Sequence, residues 1–207
     1  MLAENALTTV DRMKLMLGLP EEPDERTDAT LELLINKASA WVERQVGRSL
    51  AKKEYDHWFD ADGQQELATL EYPIIKVHYV KQDGILVDPS TYDYGQTAGI
   101  GVIYRDQGWL KAGYRRGLAH DIIETKRVIE VSYTAGYVLP KDATEEEPQT
   151  LPADLEGLVW DMASQAFTNL SNGSQGLNSF SISDVRWDFD KSVHSDWMKL
   201  VSLYKRY

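Results

Sequence analysis

Hydrophobic positions along the chain repeat first at helical spacing, then near every second residue, then at helical spacing again. From Thr8, the residues Val10, Met13 and Leu17 form a short apolar stripe that Gly18 closes. Thr8 and Asp11 stand at the spacing of a capping box variant, and Asp11 lies at the positive end of the helix dipole. A second stripe places Leu31, Leu34, Ile35, Ala38, Val42 and Val46 at offsets of three, four, seven, eleven and fifteen. That spacing predicts an amphipathic helix of about five turns, capped by Thr27 or Asp28 and ended by Gly47. Far downstream, Leu155, Leu158, Val159, Met162, Ala163, Ala166, Phe167 and Leu170 repeat the helical period, with Pro152 suited to the first turn. This is the expected core helix, with Leu158 and Met162 buried and the helix led by Leu31 packed against it. Asn172 and Gly173 stop it, SNGSQGLNS reads as a loop, and Ser192 is the expected cap of a last helix carrying Val193, Trp197, Leu200, Val201 and Tyr204.

Between Leu50 and Tyr137 the β-branched and aromatic residues of EYPIIKVHYV, GILV, STYDYG, IGVIYR and KRVIEVSY predict short strands. Asp83-Gly84 is a hairpin signal, and Pro73, which cannot donate to a ladder, belongs at an edge or a strand start. The expected fold is α+β: a platform of about four helices with an inserted antiparallel β region packed on it. We read residues 1–207 as one domain, helical over 7–50 and 151–207, with a β insertion over 51–138. The acidic linker KDATEEEPQT, 141–150, has no apolar anchor and is expected to be disordered.

A chain of 207 residues that is 43% hydrophobic can bury a proper core. No apolar run approaches the ~20 residues that cross a bilayer, and no basic-then-apolar leader opens the sequence, so a cytosolic protein is expected. Zero cysteines exclude disulfides, thiolate metal sites and a cysteine nucleophile. The net charge of −11 argues against wrapping nucleic acid, because no basic surplus is present to release counterions. Its distribution is uneven: residues 139–191 carry three basic and ten acidic residues, whereas the last sixteen carry Lys199, Lys205 and Arg206 against Asp196. The carboxyl-terminal segment therefore opposes the body in charge, as an attachment tail would.

Candidate chemistry is sparse. The phosphate-binding, zinc-peptidase and nucleophile-elbow motifs are absent. Asp56, His57, Asp60, Asp62 and Gly63 could form an oxygen-rich metal loop, but they lack the alternation and the bidentate Glu of a calcium loop; a solvated acidic turn is the plainer reading. His78, His120 and His194 are scattered, with no carboxylate or hydroxyl at catalytic spacing. Six Trp and eleven Tyr are a high aromatic load. Trp41, Trp160 and Trp197 fall on or near helical stripes, whereas Trp58, Trp109 and Trp187 fall in loops or at strand ends, where aromatics can anchor an interface.

LTTVDRMKLMLGL, the helix DATLELLINKASAWVERQVGRSL with its Val-Glu-x-x-x-Gly-Arg pattern, YPIIKVHYVKQDG, VSYTAGY and LPADLEGLVW together resemble the head-tail connector, or adaptor, proteins of long-tailed bacteriophages. The likeness lies in their order and spacing over roughly residues 7–170, with an echo in the terminal YKRY. It implies a structural virion protein of the neck, assembled in the host cytoplasm. Such subunits form a homo-oligomeric ring, usually of twelve, beneath the portal protein. They offer a docking surface to the next neck or tail protein, a stopper or tail terminator, and DNA passes through the middle without specific binding. The resemblance brings no catalytic residue, cofactor or metal, and no membrane. On this reading Asp56, Asp60 and Asp62 are candidates for an acidic lumen, and Trp197, Tyr204, Lys205, Arg206 and Tyr207 for the portal interface. Trp197, Leu200, Val201 and Tyr204 could equally cover helices of their own subunit. Two other readings stand beside it: a carbohydrate- or protein-binding module using the aromatics of the insertion, and a small metal-dependent hydrolase using the Asp56–Asp62 cluster.

Overall fold

Thr9, in extended conformation, caps helix α1 (Val10–Leu17) by accepting from the Arg12 N–H, and Gly18 ends it in the left-handed conformation at φ 66°. The cap is thus one residue beyond the Thr8 of the expected box; Thr8 is buried and bonded elsewhere. Helix α2 (Glu25–Val46) also starts earlier than its stripe suggests, because Asp24 rather than Thr27 or Asp28 is the cap. Asp24 accepts from the Arg26 N–H and the Thr27 hydroxyl, and Gly47 closes the helix at φ 83°. Helix α3 spans Ala153–Gly173 and α4 spans Lys191–Ser202, so Ser192 lies inside α4. This computed structural model describes residues 1–95, 100–110, 127–173 and 191–205, and of 171–173 and 191–194 the backbone alone.

The chain divides into two compact units, Met1–Ser49 with Val138–Tyr207, and Leu50–Tyr137. In the helical unit, Met13 of α1, Leu31, Leu34 and Ile35 of α2, and Ala163 and Ala166 of α3 share one core. Leu158 and Met162 are buried as the helical period requires. The first residues lie along α2: the Leu7 N–H donates to Ser39 Oγ at 3.0 Å, and Asn5 Nδ2 to Glu43 Oε2 at 2.6 Å.

The acidic segment 141–150 is folded into turns, contrary to the expectation of disorder. Leu139 and Leu151 are buried on either side of it. The Val138 N–H donates to Thr150 Oγ1 at 2.9 Å, the Glu147 N–H to Thr144 Oγ1 at 3.0 Å, and Gln149 bonds both Arg12 and Glu156. Anchors just outside the charged run, and a glutamine within it, supply what its carboxylates cannot.

The second unit holds two antiparallel sheets: a four-stranded one in the order β1-β7-β3-β4 and a three-stranded one in the order β2-β6-β5. Its strands are β1 (Lys53–Phe59), β2 (Glu66–Ala68), β3 (Ile74–Gln82), β4 (Ile85–Leu86), β5 (Asp93–Tyr94), β6 (Val102–Tyr104) and β7 (Ile129–Ala135). Strands β1 and β2 had no periodic signal strong enough to announce them. Pro73 immediately precedes β3, and the β3–β4 turn has both Asp83 and Gly84 at positive φ, the geometry a two-residue hairpin needs. Side chains of both sheets meet in one core around Val77, Val80, Ile103, Trp109, Val131 and Tyr133. Entry and exit of the unit are tied by Tyr137 N–H to Leu50 O and Lys52 N–H to Tyr137 O, each 2.8 Å. Gly136 makes that closure possible: a Cβ there would stand 2.5 Å from the Ala51 carbonyl oxygen. No helix among the described residues is long and apolar enough to cross a membrane.

Candidate functional site

The expected attachment segment is partly built into its own subunit. Trp197 is buried and meets Trp41 of α2 edge to face, ring centroids 6.4 Å apart. It is an intramolecular anchor, as an aromatic on the inner face of an amphipathic helix should be. Beyond α4, the Tyr204 hydroxyl donates to the Asp154 carboxylate at 2.6 Å, on the exposed surface at the start of α3. Lys205 is half-buried, and Arg206 and Tyr207 lie outside the described residues.

The acidic cluster disperses for a simple reason: β1 runs through it. Alternation turns Tyr55, His57 and Phe59 toward one side and Glu54, Asp56 and Trp58 toward solvent. The Asp60 carboxylate accepts from the Arg127 N–H at 2.7 Å and that of Asp62 from the Gln64 N–H at 2.8 Å. Among the described residues no three His, Asp or Glu converge to hold a metal ion. The metal loop, and the hydrolase built on it, therefore lose their ligand set. All three aspartates remain exposed.

Asp56 and Trp58 belong to the outer face of the four-stranded sheet. Pairing sets Trp58, Glu130, Lys81 and Leu86 in one row across the four strands, with Asp56, Ser132 and Tyr79 in the next. The Tyr79 hydroxyl donates to Glu130 at 2.7 Å, Lys81 Nζ stands 3.2 Å from both Glu130 oxygens, and that ammonium lies 4.4 Å from the Tyr79 ring centre. Hydrogen bonding from Tyr79 and Lys81 holds the Glu130 carboxyl below its usual range, while the same bonds raise Tyr79 and Lys81. Trp58, 53% exposed, and Leu86, 63% exposed, flank this polar centre.

On the inner side, Tyr133 is fully buried and its hydroxyl lies 2.9 Å from His57 Nδ1 and 3.2 Å from the Glu71 N–H. Burial pushes the phenol up to about 12 and lowers the imidazole. The neutral forms of both are thereby favoured, with the phenol donating to Nδ1 and accepting from the Glu71 N–H. His78 is bonded through Nε2 to Thr134 Oγ1 at 2.8 Å, with a Glu54 carboxylate 3.9 Å away. His120 and the side chain of His194 lie outside the described residues. Of the three aromatics assigned to loops or strand ends, Trp58 is exposed near the end of β1, Trp109 is buried with Nε1 donating to Ile103 O at 3.2 Å, and Trp187 lies outside the described residues.

The architecture has counterparts in phage-like particles. A chain from the neck of an empty gene transfer agent particle, in a structure computed with C6 symmetry, is 16% identical with a TM-score of 0.55, over 100% of this chain and 93% of the other. A chain from the virion of a native gene transfer agent particle is 17% identical with a TM-score of 0.50, over the same shares. No curated protein sequence matches. The sequence model of the head completion protein family matches residues 6–149. The chain belongs to that family. This head completion protein is a head-tail connector, or adaptor.

For a head completion protein the working parts are surfaces, and two of its surfaces escaped sequence reading. On the β1 face the inward positions are Tyr55, His57 and Phe59, set among acids that read as a loop. The outward stripe of α2, with Arg26, Leu33 and Arg44 exposed, is the complement of the apolar stripe that defined the helix.

Proposed function

We propose that this head completion protein acts as a closed ring, twelve subunits around, seated beneath the portal protein. It joins the DNA-filled head to the next neck or tail protein, a stopper or tail terminator. The observation that carries this is the family match over residues 6–149. The role is architectural, with no reaction to catalyse. Subunits are made and assembled in the host cytoplasm and end in the virion.

A conduit for DNA must not grip it. We assign Asp56, Asp60 and Asp62, exposed on β1 and the loop after it, to a lumen that repels phosphates over a Debye length of about 8 to 10 Å. The net charge of −11 supports this. The last residues, Tyr204 to Tyr207, are assigned to the portal: they oppose the body in charge, and Tyr and Arg are favoured interface anchors. Trp197 contributes indirectly, by fixing α4 so that the segment after it emerges in one place.

Particles produced without this protein test the role. The expected product is heads that package DNA but carry no tails, restored when the protein is supplied in trans. Tailed, infectious particles in its absence would overturn the assignment.

A further inference from the structure

The side of α3 turned from the core carries Gly157, Asp161, Ser164 and Thr168. A Cβ added at Gly157 would meet nothing within 4 Å. Glycine inside a helix lowers its stability relative to alanine, and packing among the described residues gives no reason for it here. Alongside runs a cleft of about 390 Å³ between α3 and α4, lined by Asp161, Ser164, Gln165, Thr168, Asn169 and Trp197. Gln165 Oε1 is buried there without a hydrogen-bond partner among the described residues. Asp161 is exposed on this side; partial burial raises its carboxyl above the usual range, and no cation is set against it among the described residues. An exposed carboxylate without a cation and an unmet buried acceptor both favour a donor. Beside an aromatic wall, the donor that fits is a guanidinium, whose planar fork binds two acceptors and stacks on rings.

Helix α2 carries the complementary surface. Arg26, Ala29, Leu33, Ala40 and Arg44 form an exposed outward stripe, with Leu33 47% exposed. The stripe has no carboxylate of its own, because Glu32 and Glu43 are turned to the amino-terminal segment, where they meet the Met1 amine and Asn5. Leu33 and Arg44 are eleven positions apart, as are Gly157 and Thr168. Both separations are about 16 Å along a helix.

We propose that the α2 stripe of one copy of this chain docks on the α3 face of the next, with Leu33 over Gly157 and Arg44 in the cleft beside Asp161 and Gln165. The contact rests on the ring reading above and names the surface that builds it. Because two different faces meet, it repeats head to tail, the heterologous arrangement that closes into a ring when the rotation allows.

The absence of cysteine makes the test direct. The full-length double variant Ala40→Cys, Ser164→Cys, seven positions on from Leu33 and Gly157 and with Arg44 and Asp161 kept, is oxidised at high concentration and run without reductant. Rungs of dimer, trimer and higher species are expected, whereas a mixture of the two single variants should stop at the dimer. In parallel, Arg44→Asp and Asp161→Arg should each weaken self-association at least tenfold in sedimentation, and the two together should restore it. Melting temperatures near wild type exclude misfolding. If wild type sediments as an oligomer while no ladder forms and neither charge reversal matters, the interface is wrong and the ring survives. If wild type stays a single subunit at the same concentration, the ring reading fails and the interface with it.

Discussion

Trp160 Nε1 donates to Thr8 Oγ1 at 2.8 Å, across 152 residues of sequence. Thr8 in turn donates to Glu156 Oε1 at 2.8 Å, and Glu156 also receives Arg12 Nη1 and Gln149 Nε2. One buried carboxylate thus ties the start of α1, the acidic segment and α3 together.

Removing that carboxylate should be felt. Glu156 is 3% exposed, so Glu156→Ala leaves Thr8, Gln149 and Arg12 without their acceptor, at about 2 to 3 kcal/mol. Arg12 is partly exposed and can rehydrate, which keeps the figure at the lower end of costs for broken buried pairs. A melting temperature equal to wild type would mean that the network does not hold the helical unit together.

Two glycines should respond differently to the same change. Gly136 has φ 105°, and an added Cβ would sit 2.5 Å from the Ala51 carbonyl, whereas Gly84, at φ 75°, has nothing within 4 Å. Gly84→Ala should cost about 1 to 2 kcal/mol from backbone conformation alone, and Gly136→Ala about 3 kcal/mol or more because the backbone must also move. Equal losses in urea unfolding would refute the close crossing at the neck of the β unit.

The buried ring pair makes stability depend on pH at both ends. Tyr133 has its folded pKa raised to about 12 from 10, so its contribution is complete below pH 10 and fades as pH rises toward 12. Two units correspond to about 2 to 3 kcal/mol. His57 has its folded pKa lowered, so its contribution is complete above about pH 6.5 and fades as pH falls through the folded value. Wild type should therefore lose stability between pH 10 and 12 more steeply than Tyr133→Phe. Parallel curves in denaturant titrations would remove the phenol from the account.

The helices were largely legible because the core of the helical unit is made by their stripes: Leu31, Ile35, Leu155 and Met162 are all buried. Their starts were less so, since Asp24 and Thr9 cap through local hydrogen bonds that any nearby polar residue could have offered. In the insertion, β3 and β7 announced themselves through β-branched residues. Strand β1 was hidden because its inward positions are Tyr55, His57 and Phe59, among acids that read as a loop. Trp109 could not be assigned from sequence, because its burial depends on both sheets closing over it. The surfaces were the least legible: Asp60 and Asp62 look like a cluster in one dimension and serve separate backbone N–H groups in three.

Deleting residues 204–207 should leave the fold intact. Tyr204 and Lys205 are half-buried and bond back to the end of α4 through their N–H groups, and the Tyr204–Asp154 bond is exposed, so their loss removes no part of the core. Co-sedimentation with the portal should drop at least tenfold, with the melting temperature within a few degrees of wild type. Full retention of portal binding would assign attachment to another surface.

The central claim, a ring that links head to tail, is tested most directly by electron microscopy of the purified protein mixed with the portal of the same particle. The account predicts portals capped on one face by a closed ring of this chain with an open channel on the axis. Portals that stay bare at saturating protein, or that carry scattered single subunits, would contradict it.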